Sequence, residues 1–411
     1  MSAGEGTMMR EAREPVIIIG AGAAGLAVAA ELRRAGVESE ILERGTAVGS
    51  SWRGHYDRLA LNTCRWFSKL SYEPFPRSVG VFPTRDEWVR YLESYAERHE
   101  VRVRYGVRVD RIDPCDGGWR VTTPDGDRVA RQVVVAMGHQ HTPRLPDWPG
   151  RQGFGGRLLH ASEYRNADGF AGADVLVVGG GCSAMDIAYD LATGGAARVR
   201  MAVRTPPNLW LRRMLGVPVD LILTACFRLP VRLADRMEAI LRRVFIGDLS
   251  RWGLATPEEG NFTRTVRIGS GQSPAIVSKP VIRAIRSGKI EIVAAVENLG
   301  AEGVLLADGS VLRPDAVIAA TGYTTGLVPI AGHLGLLDDR GRPRVSGGPA
   351  AAPGLHFSGY VPNINNLYHE GRRTAEEIAR ELADDAALPA ALMAAPGAAC
   401  LPVEESSGTR P

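Results

Sequence analysis

Two short apolar runs that each end in a glycine-rich turn constrain the fold of this chain more than any other feature. Residues 16–19 (VIII) lead into 20–25 (GAGAAG), and residues 175–178 (VLVV) lead into 179–184 (GGGCSA). In both places a helical stretch follows the turn and a second apolar run follows the helix. A short continuous apolar run bounded by glycine is typical of a buried parallel strand. The sequence therefore predicts two separate βαβ units.

The first turn has the glycine spacing that binds a dinucleotide. In the pattern G-x-G-x-x-G, Gly20 permits a tight turn, Gly22 lets the backbone approach a pyrophosphate, and Gly25 lets the helix pack closely on the strand. The N–H groups at the start of the helix then face the phosphates. Glu43 ends the second strand, where a carboxylate accepts hydrogen bonds from ribose hydroxyls, and Arg44 follows it. We expect these five residues to contact the dinucleotide.

The second turn offers Gly179, Gly181, Ser183 and Ala184 to a second dinucleotide, with alanine at the third glycine position. At the strand end where the first unit has a carboxylate, this unit has Arg204. A guanidinium binds a 2′-phosphate through forked, charge-assisted hydrogen bonds, whereas a carboxylate would repel it. This reversal of charge predicts NADPH for the second unit and, by elimination, FAD for the first. The alternative for Arg204 is a solvated strand end.

The composition argues against several classes of protein. The 411 residues are 45% apolar and 23% charged, which is ordinary for a globular protein. A net charge of +3 without a basic run gives no indication of nucleic-acid binding. The five cysteines are scattered and form no C-x-x-C pair. This predicts a cytoplasmic protein without disulfides or structural zinc, and it argues against a disulfide reductase. His139 and His141 have no third ligand nearby in sequence, so we expect no metal.

These features predict an α/β fold of two Rossmann-like, three-layer dinucleotide-binding domains. The apolar run at 317–320 is expected to return the chain to the first domain, so that the second domain is inserted within a discontinuous first one. The predicted segments are a loose N-terminus (1–14), an FAD-binding domain (15–165 and 316–385), an NADPH-binding domain (166–315) with a helical insertion (206–252), and a flexible tail (386–411).

The insertion is unusually basic. Between residues 204 and 252 the chain has nine arginines against four acidic residues, with apolar residues between them. This pattern fits a helical hairpin with one apolar face. We favour packing of that face on its own domain; the alternatives are a cap over the substrate entrance and contact of residues 212–245 with a membrane surface. No apolar run in the chain is long enough to cross a membrane.

A motif between the two units resembles that of a known family. Phe154, Gly156, His160 and Tyr164 follow the spacing F-x-G-x-x-x-H-x-x-x-Y. This spacing resembles the identifying motif of class B flavoprotein monooxygenases in their flavin-containing monooxygenase form, which includes the plant YUCCA enzymes. Further stretches are similar to the YUCCA-like branch: GSSW at 49–52, YDRL at 56–59, FPT at 82–84, AMG at 136–138 with methionine in place of threonine, and ATGY at 320–323. Through these matches Trp52, Thr321 and Gly322 join the expected cofactor-binding residues.

The resemblance implies an enzyme that is reduced by NADPH, forms a C4a-(hydro)peroxyflavin with O₂ and inserts one oxygen atom into a small organic substrate. The reaction would be N- or S-oxygenation, or Baeyer–Villiger-like attack on a ketone or a 2-oxo acid. The alternatives are an NADPH oxidase or reductase without oxygen transfer, and a flavin-based redox-sensing protein. The identity of the substrate and the oligomeric state, including a homodimer, stay open.

Asn62 is the expected catalytic residue. Residues 61–63 (LNT) are similar to the asparagine–threonine pair that animal flavin-containing monooxygenases place over the flavin, whereas YUCCA enzymes tend to have histidine there. The resemblance implies that the Asn62 amide hydrogen-bonds the flavin peroxide and the bound nicotinamide. The alternative is an asparagine in an Asx turn. His160 and Tyr164 are expected to be structural residues at the domain junction and near NADPH.

Overall fold

The computed structural model describes residues 15–226, 229–257, 275–360 and 366–387. The predicted N-terminal segment 1–14 lies outside the described residues, and so does the predicted tail beyond residue 387. Residues 386–387 end a long helix instead of beginning a tail.

The helices are α1 (Ala23–Arg34), α2 (Ser50–Arg53), α3 (Arg65–Ser68), α4 (Arg85–Arg98), α5 (Cys182–Thr193), α6 (Val219–Cys226), α7 (Val231–Phe245), α8 (Lys279–Arg286), α9 (Leu327–Ala331) and α10 (Asn366–Ala387). The strands are β1 (Val16–Ile19), β2 (Ser39–Glu43), β3 (Val103–Tyr105), β4 (Arg111–Cys115), β5 (Gly118–Thr122), β6 (Arg128–Ala130), β7 (Val133–Val135), β8 (Thr142–Pro143), β9 (Arg157–His160), β10 (Asp174–Val178), β11 (Arg198–Ala202), β12 (Leu209–Leu211), β13 (Arg213–Met214), β14 (Val217–Pro218), β15 (Ala275–Val277), β16 (Glu291–Val293), β17 (Val296–Gly300), β18 (Gly303–Leu306), β19 (Val311–Leu312), β20 (Ala316–Ala319), β21 (Tyr323–Thr324) and β22 (Leu355–Phe357).

The first module is built on a parallel sheet with the strand order β22-β7-β1-β2-β3. In its centre Ile18 lies opposite Ile41 on one side and Val134 on the other. One face packs against α1, α4 and α10, and the other against α9 and the sheet β4-β5-β6. Every residue of β1 is buried because both faces of the sheet are covered. The helices α1 and α10 can approach closely because Gly371 has no side chain: an added Cβ there would lie only 2.8 Å from the Ala27 Cβ.

The second module repeats this plan. Its parallel sheet has the order β16-β11-β10-β20-β9. The helices α5 and α8 cover one face, and the antiparallel sheet β17-β18-β19 covers the other. Each module therefore has the three layers that the two βαβ units predicted.

Two strands assigned to the first domain lie in the second sheet. β20 pairs in parallel with both β10 and β9, although the predicted boundaries at 165/166 and 315/316 placed β9 and β20 in the first domain. All residues of β20 are buried and apolar, and such a run can pair with any parallel neighbour. Its sequence thus identifies a buried strand without identifying the sheet, and both predicted boundaries have to move by one strand.

The second module is inserted within the first. The chain leaves the first sheet after β7 and rejoins it at β22, which pairs with β7. The two crossing segments meet each other as the antiparallel pair β8–β21. This topology confirms the predicted fold class.

The predicted helical insertion at 206–252 is only partly helical. Its first part forms three short strands, β12, β13 and β14. Of these, β12 pairs with β15, which lies beyond the insertion in the sequence. All three residues of β12 are buried, so their backbone groups need partners within the protein. The stretch is extended because β15 supplies these hydrogen bonds. The second part forms α6 and α7, and Leu223 and Ala234 pack into the core of the second module, as we favoured.

None of the helices in the described ranges combines the length and apolar character needed to cross a membrane.

Candidate functional site at the module junction

A cavity of about 450 Å³ opens at the carboxyl ends of β1, β2 and β7. In parallel α/β sheets ligands bind at this end of the strands. The predicted residues that line the cavity are Gly20, Gly22, Glu43, Arg44 and Trp52. The structure therefore brings these five residues, which the sequence predicted to bind a cofactor, together around one cavity.

The first glycine-rich turn has the geometry that its spacing indicated. Gly20 has a φ of +106°, and an added Cβ there would lie 2.8 Å from the Ala136 carbonyl oxygen. An added Cβ at Gly25 would lie 2.0 Å from the Gly20 carbonyl oxygen, so α1 can pack against the turn only with glycine at this position. Around Gly22, in contrast, an added Cβ would meet nothing within 4 Å. The backbone at Gly22 is thus open for close approach by a pyrophosphate at the start of α1.

Glu43 holds the turn and lines the cavity at the same time. Its Oε2 accepts a hydrogen bond from the Ala21 N–H at 2.8 Å, and its Oε1 accepts one from the Gly45 N–H at 2.7 Å. A carboxylate oxygen can accept more than one hydrogen bond. Glu43 can therefore hold the turn and still accept bonds from ribose hydroxyls, and the residues around the cavity fit an FAD molecule.

The two histidines of the H-x-H pair line the same cavity. Burial, with a smaller contribution from the charge of Arg44, lowers the pKa of His141 to about 4. Burial likewise lowers the pKa of His139. Both imidazoles are therefore neutral near pH 7 and add no positive charge to the cavity.

The turn of the second module reproduces that of the first. Gly179 has a φ of +141°, and an added Cβ would lie 2.4 Å from the Ala320 carbonyl oxygen. At Gly181 an added Cβ would meet nothing within 4 Å. Ser183 lies in the first turn of α5, and Ala184 is buried against the second core. The start of α5 is therefore arranged like the start of α1.

Arg204 lies two residues beyond the end of β11 and is exposed. On β11 itself, Arg198 forms an ion pair with Glu291 at 2.7 Å, and Arg200 forms one with Asp174. Arg204 has no such carboxylate partner in the described part of the chain. Its guanidinium is thus available to an anion at the strand end, which fits the 2′-phosphate of NADPH.

His160 of the family motif connects the second module to a crossing segment. His160 Nδ1 accepts a hydrogen bond from the Ser162 N–H at 3.0 Å, so the proton is on Nε2, which donates to the Gly322 carbonyl oxygen at 3.0 Å. Burial lowers the pKa of His160, which keeps this neutral tautomer. Gly322 belongs to the second crossing segment, where the Thr321 hydroxyl donates to the Arg144 carbonyl oxygen. His160 therefore connects β9 to a crossing segment.

The other motif residues have packing roles. An added Cβ at Gly156 would lie 2.6 Å from the Phe154 ring, so the glycine makes room for that ring. The Tyr164 hydroxyl donates to Asp190 Oδ2 at 2.7 Å, and burial raises the pKa of this tyrosine, which keeps it protonated.

Asn62 lies where the two modules meet, outside the lining of the 450 Å³ cavity. Its Oδ1 accepts a hydrogen bond from Arg212 Nη2 at 3.2 Å. Arg212 belongs to the second module. Asn62 is therefore held from the side on which the second turn lies.

Sequence reasoning assigned no role at this junction to four polar residues. The Tyr56 hydroxyl donates to Asp186 Oδ2 at 3.1 Å, and Arg212 lies 3.9 Å from the same oxygen. Asp220 Oδ2 accepts a hydrogen bond from the Cys64 N–H at 2.6 Å. Arg212 and Asp220 lie in the insertion. The excess of arginines was visible in the sequence, but it did not indicate which arginine turns inward.

The Cys64 thiol is not a nucleophile. The residue is fully buried, and burial raises the pKa of its thiol to about 12. Burial raises the pKa of the Cys182 thiol as well. Neither side chain is a thiolate near pH 7.

The sequence of this chain is similar to those of known proteins. Residues 17–213 match a family model described as pyridine nucleotide-disulphide oxidoreductase. The chain is 38% identical over 316 residues to the indole-3-pyruvate monooxygenase YUCCA1 of Oryza sativa subsp. japonica, with 76% of this chain and 77% of that protein covered. It is 36% identical over 324 residues to the probable indole-3-pyruvate monooxygenase YUCCA7 of Arabidopsis thaliana, with 76% and 74% covered.

A solved structure has the same fold. The flavin-containing monooxygenase from Stenotrophomonas maltophilia superposes with a TM-score of 0.69 at 23% identity, with 90% of this chain and 98% of that chain covered. The chain therefore belongs to the class B flavoprotein monooxygenases, in the YUCCA-like branch of the flavin-containing monooxygenase family, and is an FAD- and NADPH-dependent monooxygenase.

Proposed function

We propose that this enzyme oxygenates a small 2-oxo acid and removes its carboxylate as CO₂. In that reaction a 2-oxo acid, O₂, NADPH and H⁺ give a carboxylic acid one carbon shorter, CO₂, H₂O and NADP⁺. The observation that carries the proposal is the identity of 38% and 36% with two proteins named for indole-3-pyruvate, a 2-oxo acid, over 76% of this chain. The oxidase and the redox-sensor alternatives have no such support.

In the proposed assignment, FAD occupies the cavity of the first module. The N–H groups at the start of α1 and the open backbone at Gly22 bind its pyrophosphate, and Glu43 binds a ribose. Arg44 and Trp52 contribute to the walls of the cavity. Bound there and reduced by NADPH, FAD supplies the oxygen transfer.

The second module would hold NADPH through residues of the same kinds. The start of α5 with Gly181 and Ser183 faces the pyrophosphate, and Arg204 takes the 2′-phosphate. Thr321 and Gly322 lie on the crossing segment between the modules, where they contact the cofactors. The contribution of the protein is to orient both cofactors at the junction and to keep bulk water out.

A substrate survey tests the proposed reaction. FAD-loaded enzyme is given NADPH, O₂ and either phenylpyruvate, indole-3-pyruvate, thioanisole or a tertiary amine. We expect the two 2-oxo acids to give CO₂ and the shortened acid in amounts close to the NADPH consumed. Hydrogen peroxide equal to the NADPH consumed with every compound would indicate an oxidase instead. Sulfoxide or N-oxide as the main product would contradict the 2-oxo acid assignment.

Replacement of Asn62 tests its assignment as the catalytic residue. In Asn62→Ala we expect flavin reduction by NADPH at the wild-type rate and a fall in product per NADPH of about five- to tenfold. This is roughly the effect of one lost hydrogen bond, about 1 kcal/mol. The NADPH that is consumed without forming product should appear as an equal amount of hydrogen peroxide. The matched control is Asn298→Ala, in β17 on the face of the second sheet opposite α5. Equal coupling in Asn62→Ala and wild type would show that Asn62 is only a turn residue.

The location and assembly of the enzyme are further parts of the proposal. Scattered cysteines without a C-x-x-C pair support a cytoplasmic protein. The helix α7 has an exposed apolar stripe of Leu233, Met237, Ile240 and Val244. A homodimer, and contact of residues 212–245 with a membrane, stay hypotheses; we favour the membrane contact less, because the opposite side of α7 packs on its own module.

A further inference from the structure

Arg212 is an arginine that the insertion contributes to the module junction, in addition to Asp220. Its side chain is 17% exposed, and its Nη2 donates to the Asn62 Oδ1. We propose that Arg212 binds the carboxylate of the substrate and thereby selects 2-oxo acids, an inference that rests on the proposed function.

The guanidinium of Arg212 has unused donor capacity. Its Nε is buried and has no hydrogen-bond partner within the described ranges. A guanidinium carries several N–H donors in a planar fork that matches a carboxylate, and burial of such a donor without a partner is unfavourable. An anion that approached this fork would therefore satisfy groups that the protein leaves without bonds.

The charge of Arg212 is only loosely compensated by the protein. The Asp186 carboxylate lies 3.9 Å away and already accepts a hydrogen bond from the Tyr56 hydroxyl at 3.1 Å. Elsewhere in the same module Arg198 makes a direct ion pair with a carboxylate at 2.7 Å. Arg212 thus keeps positive charge that a substrate anion can use.

The backbone of Arg212 is held on both sides. Its N–H donates to the Val277 carbonyl oxygen at 2.8 Å, and its carbonyl oxygen accepts from the Val219 N–H at 3.0 Å. The preceding residues of β12 are fully packed in the second core. The guanidinium therefore starts from a rigid element, which lowers the entropy that is lost when it binds a ligand.

The surroundings suit an aryl 2-oxo acid. The Phe82 ring lies 5.7 Å from the Arg212 guanidinium and offers an aromatic surface. Because Asn62 contacts Arg212 directly, a carboxylate on the guanidinium brings the neighbouring keto carbon to the side of the junction where Asn62 lies. The other anion that could reach the junction is the NADPH pyrophosphate, but in the proposed assignment the N–H groups at the start of α5 already bind that group.

The test compares Arg212→Gln with Arg213→Ala. Glutamine keeps a donor for Asn62 and removes the charge, so folding and FAD content should be retained. Arg213 is the matched control because it is exposed, adjacent in sequence and also lies over the Phe82 ring, at 5.3 Å. A second variant, Arg212→Lys, keeps the charge and loses the fork. FAD content and the melting temperature are measured for each variant.

The readout is the Kd for phenylpyruvate, measured from the change in flavin absorbance of the oxidised holoenzyme, together with the KM for NADPH. We expect Arg212→Gln to raise the Kd for phenylpyruvate by roughly 30-fold, the usual scale for a charge-assisted pair. Arg212→Lys should raise it less, and Arg213→Ala should leave it within about twofold. The KM for NADPH should be unchanged in all three variants.

Two results would overturn the inference. An unchanged Kd for phenylpyruvate in Arg212→Gln would show that the guanidinium does not bind the carboxylate. A raised KM for NADPH with an unchanged Kd would assign Arg212 to the cofactor phosphates. Failure of the proposed function is seen separately, as wild-type enzyme that binds phenylpyruvate but releases no CO₂ from it, because the binding comparison uses oxidised enzyme without turnover.

Discussion

Gly25→Ala is expected to abolish the folded, FAD-loaded enzyme. The added Cβ would lie 2.0 Å from the Gly20 carbonyl oxygen, and the atom it meets is backbone, which cannot rotate away like a side chain. Relief of the overlap requires α1 to move away from β1, and α1 packs in the core between the first sheet and α10. We expect a loss of about 3 kcal/mol or more in the free energy of unfolding. The measurements are the melting temperature and the FAD content of the purified protein.

Two further glycine variants make that experiment specific. Gly155→Ala adds a methyl group where nothing lies within 4 Å, at a glycine with no positive φ, so stability and FAD content should match those of wild type. Gly22→Ala also meets no protein atom, but Gly22 lines the cavity. Without FAD, Gly22→Ala should be as stable as the wild-type apoprotein, and it should bind FAD more weakly than wild type does. A Gly25→Ala protein with a wild-type melting temperature would contradict the packing role of that glycine.

Arg204→Glu is expected to raise the KM for NADPH by roughly 100-fold and to leave the KM for NADH almost unchanged. A charge-assisted hydrogen bond contributes about 1.5–3 kcal/mol, and a carboxylate at the same place repels the 2′-phosphate. NADH lacks that phosphate, so it does not report the change. Steady-state NADPH and NADH oxidation at fixed ionic strength measures both constants.

Arg198→Ala is the control for that prediction. Arg198 is an exposed arginine of the adjoining strand β11, and its partner Glu291 lies on the surface as well. Its removal should change neither KM by more than about twofold. Equal increases in the KM for NADPH and for NADH in Arg204→Glu would mean that Arg204 contacts a part shared by the two dinucleotides. No change in either would make it a solvated strand end.

Local features of the sequence predicted the two dinucleotide turns well. Each turn joins a strand to a helix within about ten residues, so its geometry depends on which positions tolerate a Cβ. The structure has the close contacts at Gly20, Gly25 and Gly179 and open backbone at Gly22 and Gly181. The resemblance supplied the family from one motif and five further short stretches. The polarity of the strand-end residues, Glu43 against Arg204, could likewise be read directly, although what each binds stays a prediction.

The pairing of strands could not be read from the sequence. The run at 316–319 is apolar throughout, and such a run can form a buried strand in either parallel sheet equally well. Its place beside β10 is decided by hydrogen bonds and side-chain packing with strands far away in sequence. The same holds for the insertion, where β12 becomes a strand because β15, more than sixty residues later, pairs with it.

The sequence by itself determined the family, through its motifs. It also determined the two cofactor modules and the glycines on which their turns depend, because these turns rest on short-range backbone geometry. The tertiary structure alone decided that Arg212 of the insertion contacts Asn62 of the first module, 150 residues apart. Many arginines in this region are chemically equivalent in the sequence. Only the packing of β12 against β15 turns one of them toward the junction, because burial and direction are properties of the assembled fold.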